Sequence, residues 1–251
     1  MARTAIPGRL GWQLARLVGK HTETPRAVSL RLESEDWPGH LPGQHVDVRL
    51  TAEDGYQAQR SYSIASAPAA GSLDLTVEEI SDGEVSPYLT EELRSGERLE
   101  LRGPIGGYFT WTEADGGPLL LVGGGSGVAP LMSMLRYRTA IDSDVPTTLL
   151  YSSRSWDEII YREELDRLSA GPALRVIHTL TRSHPDDWDE YTRRIDATML
   201  EDAAGEPEPG RLAYVCGPTQ LVENVANNLV RLGYPTGRVK TERFGPTGAG
   251  G

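Results

Sequence analysis

The stretch Leu119-Leu120-Leu121-Val122-Gly123-Gly124-Gly125-Ser126-Gly127-Val128-Ala129-Pro130 changes how the chain must be read on either side of it. Its first four residues are a continuous apolar run, the pattern of a parallel strand buried on both faces. Three glycines then break the strand, and from Leu131 the apolar spacing becomes that of a helix. Pro130 falls near the first helical position, where proline is tolerated because the N–H it lacks would have no partner there. Strand, glycine turn and helix in this order open an α/β layer.

Downstream the alternation continues. The pattern predicts strands over 147–151, 174–180, 212–216 and 238–241 and helices over 158–168 and 221–232, with a polar, Pro/Gly-rich loop at 203–210. Upstream the period is two. Residues 12–18, 28–32, 46–50, 73–77 and 98–101 alternate apolar and polar, and Arg60-Ser61-Tyr62-Ser63 reads as extended chain. Many short strands, turn clusters such as Leu41-Pro42-Gly43 between them and no long helix predict an N-terminal antiparallel six-stranded β-barrel. Ala114-Asp115-Gly116-Gly117-Pro118 reads as a linker. We therefore expect a barrel domain over 1–113 and a C-terminal α/β parallel-sheet nucleotide-binding domain over 114–251.

The bulk numbers exclude several functions. A net charge of −11 argues against nucleic-acid binding, which needs a basic face. One cysteine leaves no disulfide framework and no iron–sulfur cluster held by four cysteines of this chain. Histidines 21, 40, 45, 178 and 184 show no metal-ligand spacing, so no metal is expected. No apolar run approaches the roughly 20 residues of a membrane span, and the start lacks the apolar core of a secretory signal. The expectation is a cytoplasmic monomer.

Three segments carry candidate chemistry. In Arg60-Ser61-Tyr62-Ser63, Tyr62 offers an aromatic face, Ser63 a hydroxyl and Arg60 a cation, a set that suits the ring and phosphates of a flavin; the plainer reading is a surface strand. Gly83-Glu84-Val85-Ser86 precedes a short helical pattern over 87–93, where N–H groups favour phosphate; the plainer reading is an N-cap serine. The turn at 123–127 lets backbone approach a pyrophosphate closely, although Val128 stands where the third glycine of the doubly wound fingerprint would fall. Cys216-Gly217-Pro218 ends an apolar strand, a place for a buried cysteine and also where ligands meet parallel sheets.

These motifs, with Gly103-Pro104-Ile105-Gly106 between them, resemble in order and spacing those of the ferredoxin–NADP reductase superfamily of flavoproteins, from about residue 12 to residue 244. The resemblance implies that Arg60, Tyr62 and Ser63 hold the flavin, with Ser61 and Ile64 alongside. It implies that Thr76, Val77 and Glu78 run past the ring and ribityl chain, and that Gly83, Val85 and Ser86 meet the pyrophosphate. FAD is favoured over FMN. It assigns Gly125, Ser126, Gly127 and Pro130, with Cys216, Gly217 and Pro218, to the nicotinamide nucleotide. Ser63, Cys216 and Glu242 become the catalytic set, and Phe244 the aromatic residue over the flavin, followed here by a further tail, 245–251.

Arg154, Thr181-Arg182 and Arg194 follow the second and third strands of the α/β layer, where NADPH-using bacterial members carry such residues. NADPH is thus expected before NADH. The implied activity is hydride transfer from NADPH to FAD and onward to a separate electron acceptor, a ferredoxin or similar redox protein. A quinone or free-flavin diaphorase, and a flavin-binding electron-transfer or regulatory subunit without turnover, are the alternatives. Arg3, Arg9, Arg16, Lys20 and Arg26 make the N-terminal segment locally basic, either as a docking patch for an acidic partner or as a solvated face.

Overall fold

The computed structural model describes residues 10–68, 72–205 and 210–244. Strands β1 (Gln13–Thr24), β2 (Ala27–Glu33), β3 (His45–Thr51), β4 (Gln57–Ser63), β5 (Leu73–Glu78) and β6 (Arg98–Ile105) form one antiparallel sheet in the order β4-β3-β6-β1-β2-β5. An antiparallel bridge between Ile64 and Leu75 joins its two edges, so the sheet curls into a barrel. The inward positions of each strand, among them Leu17, Leu30, Val48, Leu75 and Leu101, have no exposed surface. Alternation of this kind is what burying one face of a sheet requires. β1 is longer than its alternating stretch because its register shifts between Leu17 and Gly19 and again between Thr22 and Thr24. Such bulges bend a strand and interrupt its period, which hides the second half from a pattern reading.

The second sheet is wholly parallel: β7 (Leu119–Gly124), β8 (Thr147–Ser153), β9 (Leu174–Leu180), β10 (Leu212–Pro218) and β11 (Val239–Phe244), in the order β11-β10-β7-β8-β9. Helices α1 (Val128–Ala140), α2 (Arg162–Ser169), α3 (Ala197–Ala204) and α4 (Thr219–Arg231) cover it. The chain leaves β7 toward β8 and later returns to β7's other side as β10. Ligands meet open α/β sheets at such a switch point, outside the carboxyl ends of the strands.

Several boundaries differ from expectation. α1 begins at Val128, three residues early, after a 3-10 turn over Gly125–Gly127, and Pro130 is its third residue, still without need of an N–H partner. α2 starts at Arg162 because a separate 3-10 turn occupies Trp156–Glu158. α3 lies partly inside the expected loop: Asp196 caps it by accepting the Met199 N–H at 3.0 Å, while residues 206–209 of that loop fall outside the described residues. Between the layers, Thr112 and Asp115 form a capping box and Trp111, fully buried, donates its Nε1–H to Gly116 O at 2.9 Å. The expected linker is thus a packed turn.

The two layers are clasped by polar contacts. Arg136 on α1 forms a bidentate pair with Glu164 on α2 at 2.9 and 2.6 Å, and donates to Ala65 O of the barrel at 2.9 Å. Its guanidinium lies 4.9 Å from the Tyr161 ring centroid. Tyr161, buried and in the left-handed region (φ 60°), shares a short hydrogen bond between its hydroxyl and that of Thr76 on β5. Thr76 meets Ser29 at 2.9 Å, and the Glu23 carboxylate accepts from both Ser29 (2.6 Å) and the Tyr161 N–H (3.3 Å). Glu164→Ala leaves the Arg136 guanidinium without its counter-charge. Its urea midpoint is expected to fall, at unchanged m-value, by an amount equivalent to about 1.5–3 kcal/mol.

Candidate functional site

The glycines after β7 are explained by what they touch. A Cβ on Gly127 would overlap the carbonyl of Cys216, and one on Gly124 would lie 2.6 Å from Leu221 Cδ1. Register pairs Cys216 with Gly123, so the turn after β7 and the turn after β10 lie side by side. Gly125 adopts φ +55°, and its carbonyl accepts the hydroxyl of buried Tyr151 at 3.1 Å. The same Tyr151 oxygen accepts the Ile160 N–H at 3.3 Å, tying the turn to the chain after β8. Ser126 is half-buried at the turn, whereas Pro130 is buried in α1.

On the barrel, β4 separates its side chains by alternation. Arg60 pairs with Glu84 at 2.9 Å, and Tyr56 donates to the same carboxylate through a short hydrogen bond. Ser61 instead donates to Asp47 at 2.6 Å, itself paired with Arg102 at 2.6 Å. Tyr62 is half-buried, and burial pushes its phenol up to about 12. Ser63 sits opposite His45 on β3. Ile64 and Val77 are fully buried in the barrel core, so their side chains do not face a ligand. Thr76 is committed to the interdomain clasp. Gly83 closes a turn on Ile80 O at 2.8 Å, and Ser86 Oγ accepts the Ile80 N–H at 3.0 Å, with Val85 buried beneath. A Cβ on Gly83 would stand 2.9 Å from both Ile80 O and Ser86 Oγ. The helical pattern behind it is one π-helical turn, Tyr88–Glu92.

β11 lies beside β10 with Glu242 in register with Cys216. Glu242 Oε1 is 3.8 Å from His45 Nδ1, and buried Oε2 has no hydrogen-bond partner in the described structure. Burial pushes the Glu242 carboxyl up to about 7. Burial, and secondly the Glu242 carboxyl, raise the Cys216 thiol well above its ordinary value, so it stays protonated and is no nucleophile at neutral pH. Burial lowers His45, with Asp47 opposing. His45 escaped the sequence reading because the β3–β4 register brings it to Ser63 and the packing of the two layers brings it to Glu242.

Between the layers lies a cleft of about 1010 Å³. Arg154, Thr181, Arg182 and Arg194 line one wall. Backbone hydrogen bonds gather them: Arg182 N donates to Arg154 O at 2.8 Å and Thr181 N to Ser153 O at 3.0 Å. Arg193, by contrast, is spent on Asp196 at 2.7 Å. Arg154 keeps a loose pair with Glu158 at 3.8 Å; Arg182 and Arg194 make no ion pair among the described residues. Gly125, Ser126 and Pro218 line the cleft floor, and Phe244, opposite Pro218 at the end of β11, stands at 36% exposure on its rim. The tail 245–251 lies outside the described residues. So do Arg3 and Arg9 of the N-terminal segment, whose other cations are engaged: Arg16 with Glu33 (3.0 Å), Lys20 with Leu93 O (3.3 Å) and Arg26 with Glu79 O (3.0 Å). Among the described residues, no group of three or more His, Cys, Asp or Glu gathers as a metal site, and no helix is long and apolar enough to cross a membrane.

Comparison with known proteins agrees with this layout. Residues 17–110 match the oxidoreductase FAD-binding domain, and residues 121–227 the oxidoreductase NAD-binding domain. Barrel, switch-point turn and the cleft between them define an FAD- and NAD(P)-binding oxidoreductase. The chain is 34% identical over 242 residues to ferredoxin–NADP reductase B of Sorangium cellulosum, covering 92% of this chain and 96% of that one. It is 32% identical over 209 residues to the glycine betaine monooxygenase reductase subunit of Pseudomonas aeruginosa, covering 82% of this chain and 56% of that one. It thus spans little more than half the length of the latter. A crystal structure of a ferredoxin NADP+ reductase from Neisseria gonorrhoeae, with bound FAD and NADP, superposes with a TM-score of 0.78 at 20% identity, over 92% of this chain and 98% of that one. The chain belongs to the ferredoxin–NADP reductase family of two-domain flavoprotein reductases.

The buried Glu242 carboxyl gives a signed pH effect. Its folded value, about 7, lies above the ordinary 4.5, so between those values the folded chain holds a proton that the unfolded chain has lost. The stability this group contributes is present in full below 4.5 and is lost as pH rises through about 7. Glu242→Gln removes that dependence. In urea unfolding at both ends of this range, the variant is expected to gain on the wild type by about 1–3 kcal/mol as pH rises.

Proposed function

We propose that this chain oxidises NADPH, passes the hydride to FAD and delivers the electrons to a separate acceptor protein, a ferredoxin or a similar redox carrier. The observation that carries this reading is the convergence of Arg154, Arg182 and Arg194 on the cleft whose floor is the glycine turn. Arg182 and Arg194, which make no ion pair among the described residues, and the loosely paired Arg154 suit a 2′-phosphate, which an unphosphorylated ribose lacks. We take 1–113 as the flavin domain and 114–251 as the nucleotide domain.

FAD supplies the two-electron chemistry when bound: it accepts hydride and releases electrons onward. The residues present fit it. Tyr62 offers its ring as a stacking face, Ser63 a hydroxyl at the ring edge, and Arg60, oriented by Glu84, a charge toward the phosphates. The Gly83–Ser86 turn presents backbone beside them without a Cβ in the way. On the other side, the Gly125–Gly127 backbone and the α1 N-terminus receive the dinucleotide pyrophosphate, and Thr181 with the arginines receives the 2′-phosphate. Cys216, neutral and closely packed, acts as a wall that fixes the nicotinamide. The carboxyl of Glu242, whose Oε2 is unpartnered among the described residues, can hydrogen-bond its carboxamide. Hydride transfer needs this alignment and no nucleophile. Phe244 closes the rim of the cleft.

A ferredoxin-like acceptor is supported by likeness to one relative: this chain is 34% identical, over 242 residues, to a protein named a ferredoxin–NADP reductase. Anaerobic stopped-flow mixing is expected to bleach the flavin band faster with NADPH than with NADH. Arg182→Ala with Arg194→Ala should raise the KM for NADPH at least tenfold, each lost contact costing about 1–3 kcal/mol, and leave NADH unchanged. An equal effect on both cofactors would refute the assignment. Tyr62→Ala should purify with little flavin; a fully yellow variant would remove Tyr62 from the site.

A further inference from the structure

The resemblance places Glu78 beside the flavin, yet its carboxylate reaches the other half of the molecule. Glu78 Oε2 accepts the Ser126 N–H at 3.3 Å, and it lies 3.3 Å from where a Cβ on Gly125 would stand. The acid comes from the barrel, at the end of β5 beside Ala27 of β2, and spans the domain interface to the glycine turn. That turn is the part of the α/β layer whose free N–H groups and helix N-terminus suit an anion. Gly125, φ +55°, has no side chain to hold an anion off. We propose, on the reading that this cleft takes NADPH, that Glu78 is a built-in competitor of the dinucleotide pyrophosphate: its carboxylate holds the Ser126 N–H in the free enzyme and must leave it when the cofactor binds.

The physical reason is that one N–H cannot serve two anions, and two anions at that separation repel in a cleft partly shielded from water. The same wall carries Glu79 and Asp82 against a single Arg26, so the barrel side of the cleft is acidic on balance, where the opposite side carries three arginines against Glu158. The 2′-phosphate therefore meets attraction and the pyrophosphate meets resistance. The resistance acts on every dinucleotide alike, so Glu78 sets how tightly NADP(H) is held while the arginines set which dinucleotide is held. Weaker holding of the pyrophosphate speeds departure of NADP+ after hydride transfer, a step of the kind that limits many well-evolved enzymes.

Isothermal titration of the FAD-loaded protein with NADP+ and with 2′-AMP, which carries the 2′-phosphate but no pyrophosphate, tests this. In Glu78→Gln the Kd for NADP+ should fall about tenfold, the size expected when a charged acceptor on the Ser126 N–H gives way to a weaker, neutral one, while 2′-AMP stays within about twofold. Glu78→Asp, which keeps the charge on a shorter arm, should lie between wild type and Glu78→Gln. An unchanged or higher Kd for NADP+ in Glu78→Gln would overturn the proposal, because the carboxylate would then be a bystander or a ligand of the cofactor. An equal gain for 2′-AMP would also overturn it, since the effect would be one of overall charge and not of the Ser126 N–H. Binding of neither ligand to the wild type would instead sink the reading of the cleft, and the proposal with it.

Discussion

The close approach of two backbones at the switch point governs the rest of the molecule. The turn at 125–127 touches the carbonyl of Cys216 only because Gly127 has no Cβ, and Gly217 returns the favour by packing on Gly124. With those contacts in place, the N-terminus of α1, the thiol of Cys216 and the carboxyl of Glu242 occupy one small region. A side chain at either turn would push β7 and β10 apart or tilt α1 away, and the candidate site would lose its floor. The glycines are thus explained first by packing; their openness to a phosphate follows from the same absence of a Cβ.

A floor is useful only if the barrel stands over it, and the clasp of Arg136, Glu164, Tyr161 and Thr76 supplies that. Its contacts grip the barrel at Ala65, immediately after the Arg60–Ser63 strand, and at Thr76, two residues before Glu78. Both segments lead to the cleft. The strained φ of Tyr161 is held by its own hydrogen bonds, its N–H to Glu23 and its hydroxyl to Thr76. Buried polar networks are costly when half satisfied, which favours one arrangement of the two layers over many. This ties the distance between the two cofactor regions to the side chains of the clasp.

Much of this was legible in the sequence, for identifiable reasons. A barrel that buries one face of every strand must alternate, and a parallel sheet buried on both faces must be continuously apolar, so both layers announced themselves. The expected arginines at 154, 182 and 194 do line one cleft, since each follows directly from a strand end or its neighbouring segment. Other features were hidden. Bulges concealed the second half of β1, and an Asp cap concealed α3 within a polar stretch. His45 and the destination of the Glu78 side chain depend on cross-domain geometry, which no local period encodes. Arg136 and Glu164 of the clasp read as ordinary surface positions on α1 and α2 until the barrel is set against them.

The opposed charge of the two cleft walls gives the arrangement its chemical logic. A carrier that reduces a flavin must bind its dinucleotide selectively and release it after each hydride. Selectivity for the 2′-phosphate needs strong local attraction, and in the proposed reading Arg154, Arg182 and Arg194 offer it, the one carboxylate paired with them among the described residues being loosely held. Were the pyrophosphate bound with equal strength, both effects would add, and the oxidised cofactor would stay. An acid at the glycine turn separates the two demands: it lowers total affinity without touching the group that is being read. Discrimination depends on a difference between ligands, while residence depends on the sum of contacts with one ligand, so placing opposite charges at the two phosphates adjusts the second while leaving the first intact.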